Sequence, residues 1–408
     1  RWDIEREESW QYYSIEEYAQ VLSRLGFLAR VKYFTPQGQI ERWRRDIQIL
    51  ESGLDFPKAV LFIEAILDKK SKEFSISQED ACFLLPELDA DAYKGSRGTV
   101  LAVGGSKEYI GAMQLATDAA THAGAGLVIA GVTHELMTDF NAHKLREVIT
   151  WSYSEQGYFN SQSADMILTD IKERMIKALA LGPGLKTEEK AVKEMVSRLM
   201  CEAEIPIVLD AGGLNAIEGN PSLLRKAKTP VVITPHLGEM AKLTGKTIPY
   251  LRKHHKDIAR EFSASYNVIV VLKGSENAPT VVAYPQGELF TNSVGNRAMA
   301  TAGMGDVLTG IITGLIGQGL LAQEAARLGV YIHSRAADIA AKKNEVLSNI
   351  IASEVVEKIA LVNRELREKR REFVLRDEKL SITREEISGV AAAHNIKGLK
   401  SADIRMPL

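Results

Sequence analysis

The chain has 408 residues, 45% hydrophobic and 25% charged, with a formal net charge of −2. That balance describes an ordinary globular protein with room for two or three domains, and it sets aside any global affinity for nucleic acid or an anionic membrane. The two cysteines, Cys82 and Cys201, lie far apart and exclude a disulfide framework or a CxxC metal site. A reducing cytoplasm is therefore the expected compartment. No apolar run reaches membrane-spanning length, and the charged, aromatic N-terminus is unlike a signal peptide. The chain opens on Arg1, not Met, so the native start is expected upstream.

Residues 1–73 are charged, aromatic and poor in glycine. Ser14-Ile-Glu-Glu17 reads as a capping box opening a helix through Leu25, and Thr35-Pro36 opens a second that ends near Gly53. Phe56-Pro57 opens a third, giving a small three-helix unit. From Phe74 the pattern changes to short β-branched runs alternating with helical segments. Thr99–Gly105, Leu127–Val132, Ala178–Gly184, Ile205–Gly213, Pro230–His236 and Asn267–Gly274 read as strands. Pro279–Phe290 reads as a hairpin turning at Pro285-Gln-Gly287. The runs are continuously apolar, as strands buried on both faces of a parallel sheet are. Beyond Ile359, LVNRELREKRREF has the mixed charge of a solvated helix face, and Thr383-Arg-Glu-Glu386 opens a last helical piece.

The chemistry gathers where strands end. Gly295–Gly310, GNRAMATAGMGDVLTG, is a glycine-rich turn opening an apolar helix. Such a turn aims backbone N–H groups and the positive end of the helix dipole at one point, which suits a phosphate. Asp306 at the helix mouth is placed to take a proton from a hydroxyl as a phosphoryl group arrives. Gly104-Gly105-Ser106, Gly111-Ala112 and Gly182-Pro183-Gly184 either let a ligand approach the backbone or serve helix packing. Asp210 closes an apolar strand, and either binds Mg²⁺, directly or through water, or caps the next helix. His236 and Glu239 lack further His or Cys partners, so a substrate hydrogen bond and a role near a hydrated metal suit them better than zinc. Lys273-Gly274 either neutralises phosphate or is solvated. Walker A, GxGxxG after the first strand and GxSxG are all missing from the sequence.

Taken in order, KGSRGTVLAVGGS, AGAGLV, LGPGL, VLDAGGLNAI, VITPHLGEM, VLKG and GNRAMATAGMGDVLTGIITGLI resemble the C-terminal type of NAD(P)H-hydrate dehydratase, a ribokinase-like branch. The resemblance spans about seven tenths of the chain. It implies an α/β fold, a three-layer sandwich with a mostly parallel central sheet, over residues 74–360. A small N-terminal helical domain (1–73) and a charged helical C-terminal extension (361–408) flank it. The implied activity restores NADH and NADPH from the S-epimer of their 6-hydrates, with Mg²⁺ and with ADP, or ATP, as phosphoryl donor. Asp306 would activate the substrate hydroxyl, and Ala112, Gly184 and His236 would line the hydrate site. Lys273, Gly274, Ser275, Glu276 and Asn277 with Gly303, Met304 and Gly305 would hold the nucleotide, and Asp210 and Glu239 would stand near the metal. A homo-oligomer, such as a tetramer, is expected.

Two departures stand out. Asn296-Arg297-Ala298 replaces the family's Asn-Pro-Gly, and SENAP delays the threonine that usually follows Lys-Gly until Thr280. The 73 residues ahead are too few for the epimerase domain that often accompanies the family. YYSIEEYAQVLSRLGF and the segment after it resemble MerR-type helix-turn-helix and chaperone-modulator proteins, so Arg42, Arg44 and Arg45 face either DNA or an acidic protein partner, or only solvent. Two rival functions share these residues. One is a ribokinase-like small-molecule kinase that uses Asp306 and releases a stable phosphate ester. The other is a DNA- or chaperone-binding regulator that keeps an enzyme-like ligand domain.

Overall fold

The apolar runs become neighbours in a ten-stranded sheet. The computed structural model describes residues 72–87, 95, 97–274, 278–343, 346–347 and 349–379. The three N-terminal helices, Ser275–Asn277 and the Thr383 capping box fall outside them. Lys72–Glu368 forms one compact unit. Its strands are β1 (Glu73–Ile76), β2 (Thr99–Val103), β3 (Leu127–Val132), β4 (Ile149–Ser152), β5 (Ile176–Leu181), β6 (Ile207–Leu209), β7 (Val231–Ile233), β8 (Ile269–Leu272), β9 (Val281–Ala283) and β10 (Leu289–Asn292). Their spatial order is β1-β10-β9-β8-β7-β6-β5-β2-β3-β4.

From β4 across to β8 every pairing is parallel, while β9 runs antiparallel to both β8 and β10. The expected hairpin is therefore present as β9–β10, with Gly287 at φ +97° in its turn. The central strands β6, β7 and β8 are buried at every position, which explains their unbroken hydrophobicity. The edge strands β1 and β4 escape the sequence reading because a strand paired on one side only needs no apolar run. Their sequences are EFSI and ITWS, both partly exposed.

The helices are α1 (Gln78–Leu84), α2 (Ile110–Ala123), α3 (Met137–His143), α4 (Ser161–Glu173), α5 (Lys190–Glu202), α6 (Gly212–Ala216), α7 (Leu237–Thr244), α8 (Ile248–Lys253), α9 (His255–Tyr266), α10 (Met304–Gly317), α11 (Ala322–Ala341) and α12 (Ala352–Lys379). Between α11 and α12 a two-stranded ladder joins β11 (Lys342–Lys343) to β12 (Val346–Leu347). α10 is buried from Val307 to Gly317, being apolar all round, and it packs on α2 and α11 over the middle of the sheet. Glycines bring the helices close: a methyl at Gly310 would land on the carbonyl oxygen of Ala116, and one at Gly314 would meet the Ala120 carbonyl oxygen at 2.7 Å. On the other face α4, α5 and α9 close a core through Ile167, Met195, Val196, Leu199 and Phe262. An Asn160–Ser163 capping box starts α4.

Candidate active site

The chain leaves β2 toward β3 and β4 on one side, then returns to build β5, β6, β7 and β8 on the other. Strand order reverses between β2 and β5, and in open α/β sheets the crevice beyond the strand ends at such a point is where ligands bind. Both loops bordering it are made of glycine. After β2, Gly105 takes φ +84° and donates its N–H to the Pro183 carbonyl at 2.8 Å. After β5, Gly182 takes φ +123° and Gly184 φ +66°. A side chain on Gly182 would strike the Asp210 carbonyl, and one on Gly184 would strike that of Tyr109. These turns hold the ends of β2, β5 and β6 against one another, so their glycines serve close backbone approach.

A buried charge cluster lies beside this crevice. Asp210, at the end of β6, is 1% exposed. Its Oδ1 accepts from Lys273 Nζ at 2.7 Å and its Oδ2 from the Thr309 hydroxyl of α10 at 2.8 Å. Burial pushes this carboxyl up, but the Lys273 charge and the bonds from Lys273, Thr309 and Thr234 outweigh it and hold it below the carboxylate range. Lys273 follows β8, and its backbone N–H bonds the Pro235 carbonyl at 2.9 Å. Burial opposes the Lys273 charge, yet Asp210, Glu239 and Asp306 together keep the ammonium above its ordinary value. A solvated lysine is thus ruled out: the side chain is 20% exposed and paired. The residue after Asp210, Ala211, holds φ +45° and ψ −116°, a strained backbone for alanine that turns the chain directly into α6.

Gly303, at φ +86°, starts α10, and no side chain caps this helix. The Met304 and Gly305 N–H groups have no acceptor within the helix and remain available to an anion, while that of Asp306 meets its own carboxylate. A methyl on Gly305 would lie 2.7 Å from Lys273 Nζ, so the helix mouth and the ammonium occupy one place. Asp306, half-buried in the first turn, is pushed up to about 7, first by burial and then by the Asp210 and Glu239 charges, with Lys273 opposing. A carboxylate that exchanges its proton near neutrality is suited to general base work.

His236 caps α7: its Nδ1 accepts from the Gly238 and Glu239 N–H groups at 2.9 and 3.2 Å. That network puts the proton of the neutral ring on Nε2, which lies 3.6 Å from Glu239 Oε1 on a side chain 60% exposed. Glu239 Oε2 completes the capping box on the His236 N–H at 2.9 Å. Burial and Asp210 raise this carboxyl, against the charges of Lys273 and His236.

The carboxylates here are oxygen donors of the kind Mg²⁺ takes, but both Asp210 oxygens and Glu239 Oε2 already accept hydrogen bonds. Among the described residues no group of three His, Cys, Asp or Glu side chains is placed to cage a metal. The donor set fits a Mg²⁺ carried by phosphates and reached through water, as this ion commonly is.

The loops that carry both departures have hydrogen-bonded anchors. Thr280, six residues beyond Gly274, still accepts the Gly274 N–H on its hydroxyl at 2.9 Å. Asn296 caps the short turn Arg297–Met299 by accepting the Ala298 N–H at 2.9 Å, and it donates to Asp338 Oδ1 at 2.7 Å. Asp338 Oδ2 also accepts the Gly295 N–H at 3.0 Å, so α11 holds this loop where proline is missing. Arg297 itself is exposed. Of the residues read from the sequence, Asp210, Glu239, Lys273, Gly305 and Asp306 come together. Ala112 and Gly184 meet through Tyr109, whose carbonyl accepts the Ala112 N–H at 3.2 Å and lies against Gly184. Ser275, Glu276 and Asn277 are outside the described residues. Sequence reading passed over Thr234 and Thr309, which stand within quoted motifs, Thr309 one helical turn after Asp306. It also passed over Tyr109, an exposed aromatic beside the strand-end glycines.

Sheet, layers and strand-end crevice define a ribokinase-like α/β protein. The model of the NAD(P)H-hydrate dehydratase family matches residues 100–360, well over half of the chain. The chain belongs to that family. It is 42% identical over 261 residues to the bifunctional NAD(P)H-hydrate repair enzyme Nnr of Moorella thermoacetica, covering 64% of this chain and 48% of that one. It is 34% identical over 263 residues to the ADP-dependent (S)-NAD(P)H-hydrate dehydratase of Bacillus subtilis, covering 64% and 88%. The match thus takes in about half the length of the bifunctional relatives and most of the length of the single-activity one. The crystal structure of the Bacillus subtilis ADP/ATP-dependent NAD(P)H-hydrate dehydratase, co-crystallised with ATP/Mg²⁺, superposes with a TM-score of 0.61 at 28% identity, over 72% of this chain and 98% of that one. No described helix is long and apolar enough to cross a membrane.

Proposed function

We propose that this chain is an ADP-dependent (S)-NAD(P)H-hydrate dehydratase, a carbon–oxygen lyase that returns hydrated NADH and NADPH to their active forms. The observation that carries the reading is Asp306, raised to about 7 in the first turn of an uncapped helix beside Lys273. The hydrate bears a hydroxyl on C6, and hydroxide is a poor leaving group. Asp306 takes the hydroxyl proton as the oxygen attacks the terminal phosphorus of ADP, and AMP leaves. The N–H groups at Gly303 to Gly305 and the Lys273 ammonium hold the transferring phosphoryl. The ring nitrogen lone pair then expels phosphate, and loss of the C5 proton restores the double bond. His236 Nε2–H, Ala112 and Gly184 line the hydrate side, while Lys273, Gly274, Met304 and Gly305 line the nucleotide side. Asp210 and Glu239 would stand near a Mg²⁺ brought with the nucleotide, and that ion would neutralise charge on the donor phosphates.

Residues 1–73 and 361–408 act, in this reading, as helical additions to a catalytic domain at 74–360, the first a protein or DNA contact. A homo-oligomer in the cytoplasm completes the proposal. The test mixes the full chain with the S-epimer of hydrated NADH and Mg²⁺, then adds ADP or ATP separately. Return of reduced-nicotinamide absorbance with ADP, and release of one AMP and one phosphate per turnover, is expected. A stable phosphorylated product, or no recovery with either nucleotide, would overturn the reading.

A further inference from the structure

We propose that Tyr109 is a substrate-contact residue that stacks on a flat heterocycle of the dinucleotide. This assignment rests on the function proposed above and adds to it a specificity-determining side chain. Tyr109 stands where the strand order reverses, the place in an open α/β sheet where a ligand crevice forms. It ends the loop from β2 and is the residue before α2. Its backbone is pinned on three sides. Its N–H bonds the Ser106 carbonyl at 3.1 Å, its carbonyl accepts the Ala112 N–H at 3.2 Å, and that carbonyl and its Cβ pack on Gly184. The two loops are tied again at the rim, where Lys186 pairs with Glu108 at 2.7 Å, and Lys107 holds the same loop to Glu135 in the turn after β3.

The ring is treated differently from the backbone. It is 58% exposed, and among the described residues it makes no ring stack and no side-chain hydrogen bond. A large aromatic left in water on a rigid mount offers a preorganised face to a planar ligand. NAD(P)H carries two such planes, adenine and nicotinamide, and bases of any identity stack on tyrosine. The same face has no part in proton transfer, so it bears on how tightly the hydrate is held and not on the chemical step.

The experiment compares wild type with Tyr109→Phe and Tyr109→Leu. In steady state, Tyr109→Leu is expected to raise KM for the hydrate roughly five- to hundred-fold, the worth of one base–aromatic stack. kcat and the KM for ADP stay within about two-fold, and Tyr109→Phe behaves as wild type because it keeps the face. Titration with NADH, followed by nicotinamide fluorescence, needs no turnover and is expected to show the same weakening in Kd. A wild type that binds NADH tyrosine-dependently without turning over the hydrate would sink the proposed function and leave this contact standing. Equal Kd and KM in wild type and Tyr109→Leu, with both folded by thermal melting, would overturn the contact. Repeating the titration with reduced nicotinamide mononucleotide assigns the plane: a retained Tyr109 effect means nicotinamide, a lost one means adenine.

Discussion

At the scale of single residues, three charges are held in unlike states by one environment. Asp210 stays ionised because Lys273 and two threonine hydroxyls serve it, while Asp306, facing the same negative charges with less help, is lifted to about 7. A base works deprotonated, so kcat/KM is expected to rise about ten-fold per pH unit below 7 and level off above it. Asp306→Asn keeps the shape, removes the base, and is expected to lower kcat by about 10²- to 10⁴-fold with the melting temperature little changed. A near-normal rate in that variant would take Asp306 out of the reaction. Lys273→Met strips a buried carboxylate of its counter-charge. It is expected to cost about 3–5 kcal/mol in urea unfolding, whereas Lys273→Met with Asp210→Asn costs less than the single change. The sign follows from Asp210 being lowered: its stability is present above the unfolded carboxylate value and is lost as acid protonates it.

At the scale of elements, α10 joins chemistry to packing. The helix that presents Asp306 at its first turn presses Gly310 and Gly314 onto α2, which starts at the crevice beside Tyr109. Gly310→Ala places a methyl on the Ala116 carbonyl, a backbone atom that cannot step aside. The change is expected to cost about 1–3 kcal/mol in stability and to lower kcat/KM as the helix mouth shifts. Wild-type stability and rate would show that the interface yields. Much of this architecture was legible. Central strands buried on both faces write themselves as VLAV or IVVL, and the strand-end glycines, Asp210, Lys273 and Asp306 sit at the ends of those runs. The edge strands β1 and β4 did not show, since pairing on one side leaves their composition free. Nor did the bond from Thr309 to Asp210, which joins residues 99 apart and depends on how α10 lies over β6. The hold of Asp338 on Gly295 and Asn296 is hidden for the same reason, since it joins residues 43 and 42 apart.

At the scale of the whole molecule, one edge of the sheet is fastened by buried charge. β1 and α1 lie ahead of the matched residues 100–360, and they attach through a buried arginine. Arg327 of α11 is 1% exposed, lies 4.6 Å over the Phe290 ring of β10, and has its Nε 3.3 Å from Asp80 Oδ2 of α1. Glu324 of α11 and Glu288, ahead of β10, are buried too. Burial pushes the Asp80 carboxyl up to about 6, with Glu324 adding to the rise and Arg327 opposing it. An acid raised by folding binds a proton in the native state that the unfolded chain has released. Its contribution to stability is complete below the unfolded value near 4 and is lost as pH climbs through about 6. Asp80→Asn cannot lose that proton. The melting temperature of Asp80→Asn relative to wild type is therefore expected to climb between about pH 4 and pH 6.5 and to be flat above. The carboxyls common to both proteins, Asp118 and Asp306 included, cancel in the difference. A difference that is constant with pH would mean that Asp80 keeps one protonation state throughout, and that Arg327 alone decides how this edge is held.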